Sequence, residues 1–217
     1  MSNTEKPMKR RSRLAIPALL SILAVSLPAL AFEYPLSSTS IRDAYFLGAE
    51  NDMKTVDFLA KYTNLPPAQK TGASVTMIRA ETPYVQVILR AMRGGNYSSQ
   101  DAAQDYLGRA ADFQMHAQVN YGTTPCGPID TVSGGFRMTQ GDCWRNFTYR
   151  LMQKKEIPAK SVEGSPVYGY GDNPVVVGGD VKLTYDISKI ESAPAQFDVT
   201  TPDGKIFSAT FDLDQLK

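Results

Sequence analysis

Residues 197–213 have the sequence F-D-V-T-T-P-D-G-K-I-F-S-A-T-F-D-L, and this stretch decides the fold class. Pro202 fixes φ for a turn and Gly204 accepts a positive φ, so Pro202-Asp203-Gly204 predicts a tight connection. Apolar residues alternate on both sides of it, at Phe197, Val199, Phe207, Ala209, Phe211 and Leu213. The stretch therefore predicts a β-hairpin with one buried face.

Upstream of the hairpin, further short strands are expected between turns rich in Gly, Pro, Asp and Asn. The predicted strands lie at residues 115–121, 136–139, 143–151, 175–177 and 181–185. Strands at this spacing are typical of sandwich-like packing. The sequence predicts a mostly antiparallel β-core whose C-terminal part is sandwich-like.

Helical periodicity dominates the region before residue 65. Ile41, Ala44, Tyr45 and Gly48 form one stripe after a cap at Ser40, and Met53, Val56, Leu59 and Ala60 form another after a cap at Asn51. Pro66-Pro67 ends the second segment. These two helices predict an N-terminal helical hairpin.

Residues 75–91 predict a β-hairpin because Val75 and Met77, and then Val85, Val87, Leu89 and Ala91, alternate with other residues. A third helix is predicted after Ser98 or Ser99, with Ala103, Tyr106, Leu107 and Ala110 buried. The fold class is thus α+β, with a helical hairpin and one further helix on the β-core. Residues 153–164 are polar and mark a soft boundary if the chain has two lobes.

The first 31 residues have the three parts of a cleavable signal peptide. Five Lys and Arg precede an apolar stretch at residues 14–30, and Ala29-Leu30-Ala31 suits a signal peptidase. Residues 32–217 are then a single mature domain that begins at Phe32. The stretch is shorter than the about 20 residues of a membrane anchor and contains two prolines. Sec export to the periplasm or outside the cell is expected, and no stable membrane span remains after cleavage. Either Met1 or Met8 can serve as the translation start, because the basic region is present from both.

Removal of the signal peptide changes the charge balance. The full chain is +1, and the signal peptide holds five basic residues and one acid, which leaves 18 basic and 21 acidic residues, a net of −3. This balance, without a run of like charges, argues against a nucleic-acid partner.

The chain has two cysteines, Cys126 and Cys143. In an oxidising compartment one such pair predicts one disulfide, and the spacing is unlike the Cys-x-x-Cys of redox enzymes. A loop of about 18 residues closed in this way contributes on the order of 3 kcal/mol.

Candidate catalytic and metal-ligating residues are few. His116 is the single histidine, without a nucleophile motif beside it, and is interpreted as a satisfied or surface residue at a strand edge. One histidine and two bridged cysteines do not make a zinc site. Neither a metal nor a cofactor is predicted. Asp101 with Asp105, and Asp212 with Asp214, are carboxylate pairs on a shared face and are interpreted as solvated groups. Asp172, Asn173 and Asp180 flank a glycine-rich loop but lack the spacing of a calcium-binding loop.

Aromatic residues supply the candidate binding surface. Tyr168 and Tyr170 lie in a turn-rich segment, and Trp144 follows Cys143. Exposed rings there would suit a protein or polysaccharide partner, whereas the alternative is that the tyrosines pack over the β-core.

Three functions follow as hypotheses. The first is an exported, non-enzymatic envelope or secreted module that binds a protein or polymer partner. The second is a hydrolase that acts on envelope material through carboxylates, which requires a cleft with two acids. The third is a carrier of a small apolar ligand, which requires an apolar cavity between the helices and the sheet. Enzyme activity is less expected than binding.

Overall fold

The computed structural model describes residues 32–108, 112–122, 129–130, 137–138, 143–169 and 176–217. The predicted signal peptide, Cys126 and Tyr170 lie outside these residues. The helices are α1 (Ser38–Glu50), α2 (Met53–Ala60), α3 (Pro83–Met92) and α4 (Ser99–Gly108). The strands are β1 (Thr63–Asn64), β2 (Ser74–Glu81), β3 (Phe113–Asn120), β4 (Ile129–Asp130), β5 (Arg137–Met138), β6 (Thr148–Met152), β7 (Glu156–Ile157), β8 (Ser161–Tyr168), β9 (Val176–Tyr185), β10 (Pro194–Thr200) and β11 (Ile206–Asp212).

Two antiparallel sheets carry the fold. One has the order β1-β2-β3-β9-β8 and the other the order β11-β10-β6-β7, while β4 and β5 pair separately. Their inner faces meet in one apolar cluster that includes Ile78, Met115, Leu183, Leu151, Phe197 and Ala209. The predicted α+β fold with a β-rich core is confirmed.

The hairpin predicted at residues 197–213 forms as β10 and β11. Phe197 lies opposite Ala209 and Val199 lies opposite Phe207, and Gly204 in the turn has a φ of 83°. The alternating apolar residues of both strands face the core, because one face of the pair is buried against the other sheet.

The largest correction concerns residues 83–92, which form α3 instead of the predicted second strand of a hairpin. Thr82 caps this helix by accepting a hydrogen bond from the Val85 N–H, and Pro83 occupies its first turn. Tyr84, Val87, Ile88 and Ala91 are buried at the spacing i, i+3, i+4 and i+7, which also fits a helix. Alternation and helical period coincide in this short apolar run, and the cap at Thr82 favours the helix.

The helices pack in a second apolar cluster that contains Ile41, Ala44, Tyr84, Ile88 and Ala102. Helix α1 crosses α3 closely at Gly48, where a Cβ would overlap the carbonyl oxygen of Ile88. The absence of a side chain at Gly48 lets the two helices approach closely, and this close approach buries the stripe predicted on α1.

Helices α2 and α4 bury other faces than predicted. On α2 the one buried residue is Thr55, while Met53 and Val56 are exposed; on α4 Ala102 is buried and Leu107 is exposed. The cap of α2 is Asp52 and not the predicted Asn51. The predicted cap of α4 at Ser98 is present, and Ser98 and Asp101 form a capping box. In short helices with few apolar residues, tertiary packing determines which face is buried.

Strand β2 contains a β-bulge. Val75 lies opposite Val119, but Met77 lies opposite Gln118, so one extra residue of β2 is accommodated between them. Val75 and Ile78 both face the core as a result, and the predicted alternation of Val75 with Met77 is interrupted.

Residues 153–164 lead from one sheet to the other. Gln153 donates hydrogen bonds to the carbonyl oxygens of Glu191 and Ala193 at 3.0 Å each, and the chain then continues through β7 to β8. The segment before β6 is a 3₁₀ helix, Cys143–Asn146, instead of the predicted strand. Among the described helices, none is long and apolar enough to cross a membrane.

Candidate functional site, a charged cleft

A row of charged side chains crosses the outer face of the five-stranded sheet. Arg79 on β2 lies opposite His116 on β3, His116 lies opposite Lys182 on β9, and Lys182 lies opposite Glu163 on β8. Their neighbours along the same strands point into the core, at Ile78, Ala80, Met115, Ala117, Val181 and Leu183. Strand alternation therefore places the charged row on the side of the sheet away from the core.

Helix α3 forms the second wall of a cleft above this row. The cleft has a volume of about 420 Å³. Its lining consists of Arg79, Glu81, Gln114, His116, Asp180 and Lys182 from the sheet, Gln86, Leu89 and Arg90 from α3, and Arg93 at the C-cap of α3. The helix begins two residues after β2 ends, buries its apolar side against α1 and presents Gln86 and Arg90 to the sheet.

His116 lies at the centre of the cleft between two carboxylates. Its Nε2 forms a hydrogen bond with Asp180 Oδ1, and its Nδ1 lies 3.5 Å from Glu81 Oε1. Burial lowers the pKa of His116, but hydrogen bonds with Asp180 and Glu81 outweigh burial and raise this pKa to about 9. Arg79 Nη2, 2.9 Å from Nδ1, favours the neutral ring, yet it is one cation against two carboxylates. We therefore take the imidazole as protonated at neutral pH.

Both carboxylates are held in their charged form. Glu81 is nearly buried, and its Oε1 accepts hydrogen bonds from Arg79 Nε at 2.9 Å and Nη2 at 2.6 Å. Burial raises the pKa of Glu81, but His116 and Arg79 together hold it below its usual range. The hydrogen bond from His116 holds the pKa of Asp180 below its usual range as well. The site thus contains ionised groups of both signs.

The remaining cations differ in how far they are neutralised. Arg90 Nε lies 2.6 Å from Asp105 Oδ2, and Lys182 Nζ lies 3.5 Å from Glu163 Oε2. Arg93 is exposed, and within the described part of the chain it has no ion pair. With His116 protonated, the lining carries five positive charges against two negative charges. Such an arrangement attracts and orients an anionic group.

Two residues of the predicted aromatic surface, Trp144 and Tyr168, lie in the described part of the chain, and only Tyr168 of these two is exposed. Trp144 is only 4% exposed and packs beneath β8, where a Cβ at Gly164 would overlap its ring. Its role as a surface residue is therefore corrected: the indole fills the space that the glycine leaves. Tyr168 is 45% exposed at the end of β8, and Tyr170 lies outside the described residues.

The other predicted candidates have local roles. Asp101 caps α4 through Ser98, and Asp105 pairs with Arg90. Asp212 and Asp214 lie away from the cleft; a hydrogen bond between them raises the pKa of Asp212. In the described ranges no group of three or more His, Cys, Asp and Glu is arranged to hold a metal ion. Asp172 and Asn173 lie outside those ranges.

Sequence reasoning missed the cleft because its members are far apart in the chain. His116 is hydrogen-bonded as the sequence interpretation allowed, but it lies on an interior strand and not at a strand edge. The separations are 37 residues from Arg79 and 64 residues to Asp180. The one local signal was the pair Arg79 and Glu81, two residues apart on a strand and so on the same face.

Comparison with known proteins adds no identity to this site. No protein-family model matches the chain, and no curated protein or solved structure matches it.

Proposed function

We propose that this chain is an exported, non-enzymatic envelope or secreted module that binds an anionic group of a protein or polymer partner in the cleft between α3 and the sheet. The observation that carries the proposal is the excess of cations around a cleft of about 420 Å³, with Arg93 free of an ion pair among the described residues. This volume falls in the range of about 300–1,000 Å³ that is usual for ligand sites.

Export belongs to the same proposal. The signal peptide at residues 1–31 and Sec secretion to the periplasm or beyond remain expectations from the sequence. The disulfide between Cys126 and Cys143 is proposed with them, and it is supported by the absence of a free thiol at Cys143. Cell fractionation tests the predicted localisation. The intact mass of the exported protein should correspond to a chain that begins at Phe32.

The binding proposal is tested with polymers that differ in charge. We expect the protein to bind a polyanion such as polygalacturonate or polyglutamate, and not neutral dextran, by isothermal titration calorimetry. The double variant Arg93→Gln/Lys182→Gln should weaken binding at least tenfold. The control is Lys155→Gln/Lys189→Gln, which removes two charges outside the cleft. Equal binding by both double variants, or no binding of any polyanion, would contradict the proposal.

A second candidate function is hydrolysis of envelope material, because Glu81 and Asp180 give the cleft the two acids that this hypothesis requires. Both carboxylates have a lowered pKa, so neither is suited to donate a proton, and His116 is the remaining proton donor. Release of reducing ends from cell-wall polysaccharide by the purified protein, abolished in Glu81→Gln, would support catalysis. Absence of release alongside polymer binding favours the binding module.

The charged lining does not support the third hypothesis. An apolar ligand would lose contact with water without gaining apolar contacts, since Leu89 is the one aliphatic residue in the cleft. Uptake of a fluorescent fatty acid is therefore not expected.

A further inference from the structure

We infer that the ligand of the cleft is a carboxylate-bearing saccharide unit of a polymer, bound through its carboxylate and its hydroxyl groups. This inference rests on the proposed function and names the chemical class of its ligand. Four features of the cleft carry it: its free cations, its free acceptors, the state of its backbone, and the residue types in its lining.

The carboxylate would be bound by Arg93 and Lys182. Arg93 is exposed and has no ion pair among the described residues, so its guanidinium can offer two parallel N–H donors to a carboxylate. Among the described residues, Lys182 pairs with Glu163 alone, at 3.5 Å, and both side chains are about half exposed. An exposed pair of this kind contributes little, so Lys182 is available to a ligand.

The hydroxyl groups would be bound by acceptors that the protein leaves unused. Asp180 bonds to His116 through Oδ1, and no described group donates to its Oδ2. Gln86 uses its amide nitrogen twice, for the carbonyl oxygens of Glu81 and Asp112, which leaves its Oε1 to accept a hydrogen bond. The Gln114 amide has no hydrogen bond among the described residues.

These acceptors disfavour a ligand with few O–H donors for its charge. Inorganic phosphate offers at most two O–H groups at neutral pH, and its anionic oxygens would face the ionised carboxylates of Asp180 and Glu81, with repulsion between like charges. A sugar acid has one carboxylate for the cations and several O–H donors for the acceptors. The mixture of charges in the lining thus fits a ligand with both kinds of group.

The backbone of the cleft disfavours an extended peptide. The floor consists of β2, β3 and β9; β3 and β9 are paired along both sides, and the short β1 covers the outer side of β2 at Ile78 and Arg79, next to the hydrogen bond from the Ala80 N–H to the Tyr62 carbonyl oxygen. The backbone groups beneath the cleft are therefore used within the sheet, so a peptide cannot be added as a further strand there. Recognition depends on side chains, and a saccharide presents its hydroxyl groups to side chains without needing backbone partners.

The residue types of the lining disfavour a neutral saccharide. None of the ten residues that line the cleft is Phe, Tyr or Trp, and one is aliphatic. A ligand without charge would depend on such apolar and aromatic contacts, which line most ligand pockets. A charged anchor is therefore needed to fix the sugar ring in this cleft.

Calorimetry of the exported protein with four probes tests the inference: trigalacturonic acid, its methyl ester, inorganic phosphate and tetraglutamate. We expect trigalacturonic acid to bind, with at least a tenfold loss for the methyl ester and for Arg93→Gln. Lys155→Gln, which removes a charge from an exposed hairpin, should bind as the wild type does. Gln114→Ala should weaken trigalacturonic acid by several-fold without affecting the weak binding of tetraglutamate.

Two results would overturn the saccharide assignment and leave the anion-binding function intact. These are equal affinity for tetraglutamate and equal affinity for phosphate. Equal affinity for the methyl ester overturns the role of the carboxylate. Failure of all three anionic probes to bind overturns the proposed function itself.

Discussion

His116 on β3 and Asp180 on β9 are joined by a hydrogen bond from the ring Nε2 to the carboxylate, although 64 residues separate them in the chain. The contact lies across an interior pair of strands, so the sheet fixes it. His116 is also the single histidine, which makes its NMR signals unambiguous in a sample without a histidine tag.

Replacing Asp180 by Asn should lower the pKa of His116 by about one unit or more, because one of the two carboxylates that favour the imidazolium is lost. The pH titration of the imidazole C–H signals measures this directly. Glu163→Gln is the control, since Glu163 lies on the same face but does not contact the ring. An unchanged titration in Asp180→Asn would exclude the hydrogen bond as the cause.

Stability should depend on the charge of His116 at alkaline pH. The pKa of His116 is about 9 in the folded protein against 6.5 for an ordinary histidine. The extra stability is fully present below pH 6.5 and is lost as the pH rises through 9. It is on the order of 3 kcal/mol at its full value.

Urea unfolding at several pH values from 6 to 9.5 checks this loss, with His116→Gln as the reference. The groups that face the ring are Arg79, Glu81, Asp180 and Lys182. The pKa values of the two carboxyl groups are held below their usual range, so both stay ionised from pH 6 to 9.5. Buried tyrosines such as Tyr62, with a pKa raised to about 12, add their own loss only near and above pH 10. A wild-type curve as flat as that of His116→Gln would show that the histidine is not linked to folding.

Gly48→Ala should destabilise the protein by about 1–3 kcal/mol, because the new Cβ meets the backbone of α3 at Ile88 and neither helix can yield without moving. Thermal or urea unfolding measures the effect. Gly108→Ala at the end of α4 is the matched control, since a Cβ there meets no atom within 4 Å. That substitution should be neutral or slightly stabilising. Similar losses at both positions would argue against the close helix crossing.

Gly164→Ala should displace the indole of Trp144 from beneath β8, with a loss of about 1–3 kcal/mol. Trp144 is the only tryptophan, so a red shift of the fluorescence emission would report its exposure to water. Gly204→Ala, in the hairpin turn, is a control that strains a backbone with positive φ but does not touch the indole. It should lower stability without changing the emission of the folded protein.

Reduction of the proposed disulfide should lower stability by on the order of 3 kcal/mol, since the bridge restricts the unfolded chain. Intact mass after alkylation, with and without prior reduction, establishes whether the two thiols are bonded. The double variant Cys126→Ser/Cys143→Ser should match the reduced protein. Alkylation of both cysteines without a reductant would refute the bridge.

The parts of the fold that the sequence predicted are those with local signals of a single kind. Pro202-Asp203-Gly204 between alternating apolar runs specified the β10–β11 hairpin, and the stripe of Ile41, Ala44 and Gly48 specified the buried face of α1. In residues 83–92 two periodicities coincide, and the cap at Thr82 was the overlooked evidence for α3. Periodicity alone does not separate such cases.

The cleft could not be predicted, because a single sequence does not show which strands are neighbours in the sheets. Its cations and carboxylates are placed side by side by the order of strands, and strand order follows from long-range packing. Trp144 was predicted at the surface because it lies near turns in the sequence, but its indole packs against Gly164 on β8. The sequence shows the type of each residue and does not show which residues it contacts in the fold.

The bulge between Val75 and Met77 has a consequence for the whole cleft. Regular alternation from Val75, which faces the core, would turn Arg79 toward the core as well and would place Ile78 opposite His116. The extra residue reverses the phase of the strand, so that Arg79 emerges on the outer face beside His116. Deletion of Thr76 would therefore remove the extra residue and leave Arg79 opposite His116, whereas regular pairing with Thr76 retained would bury the arginine without its partner. The phase of the strand at this one point determines on which face of the sheet Arg79 lies.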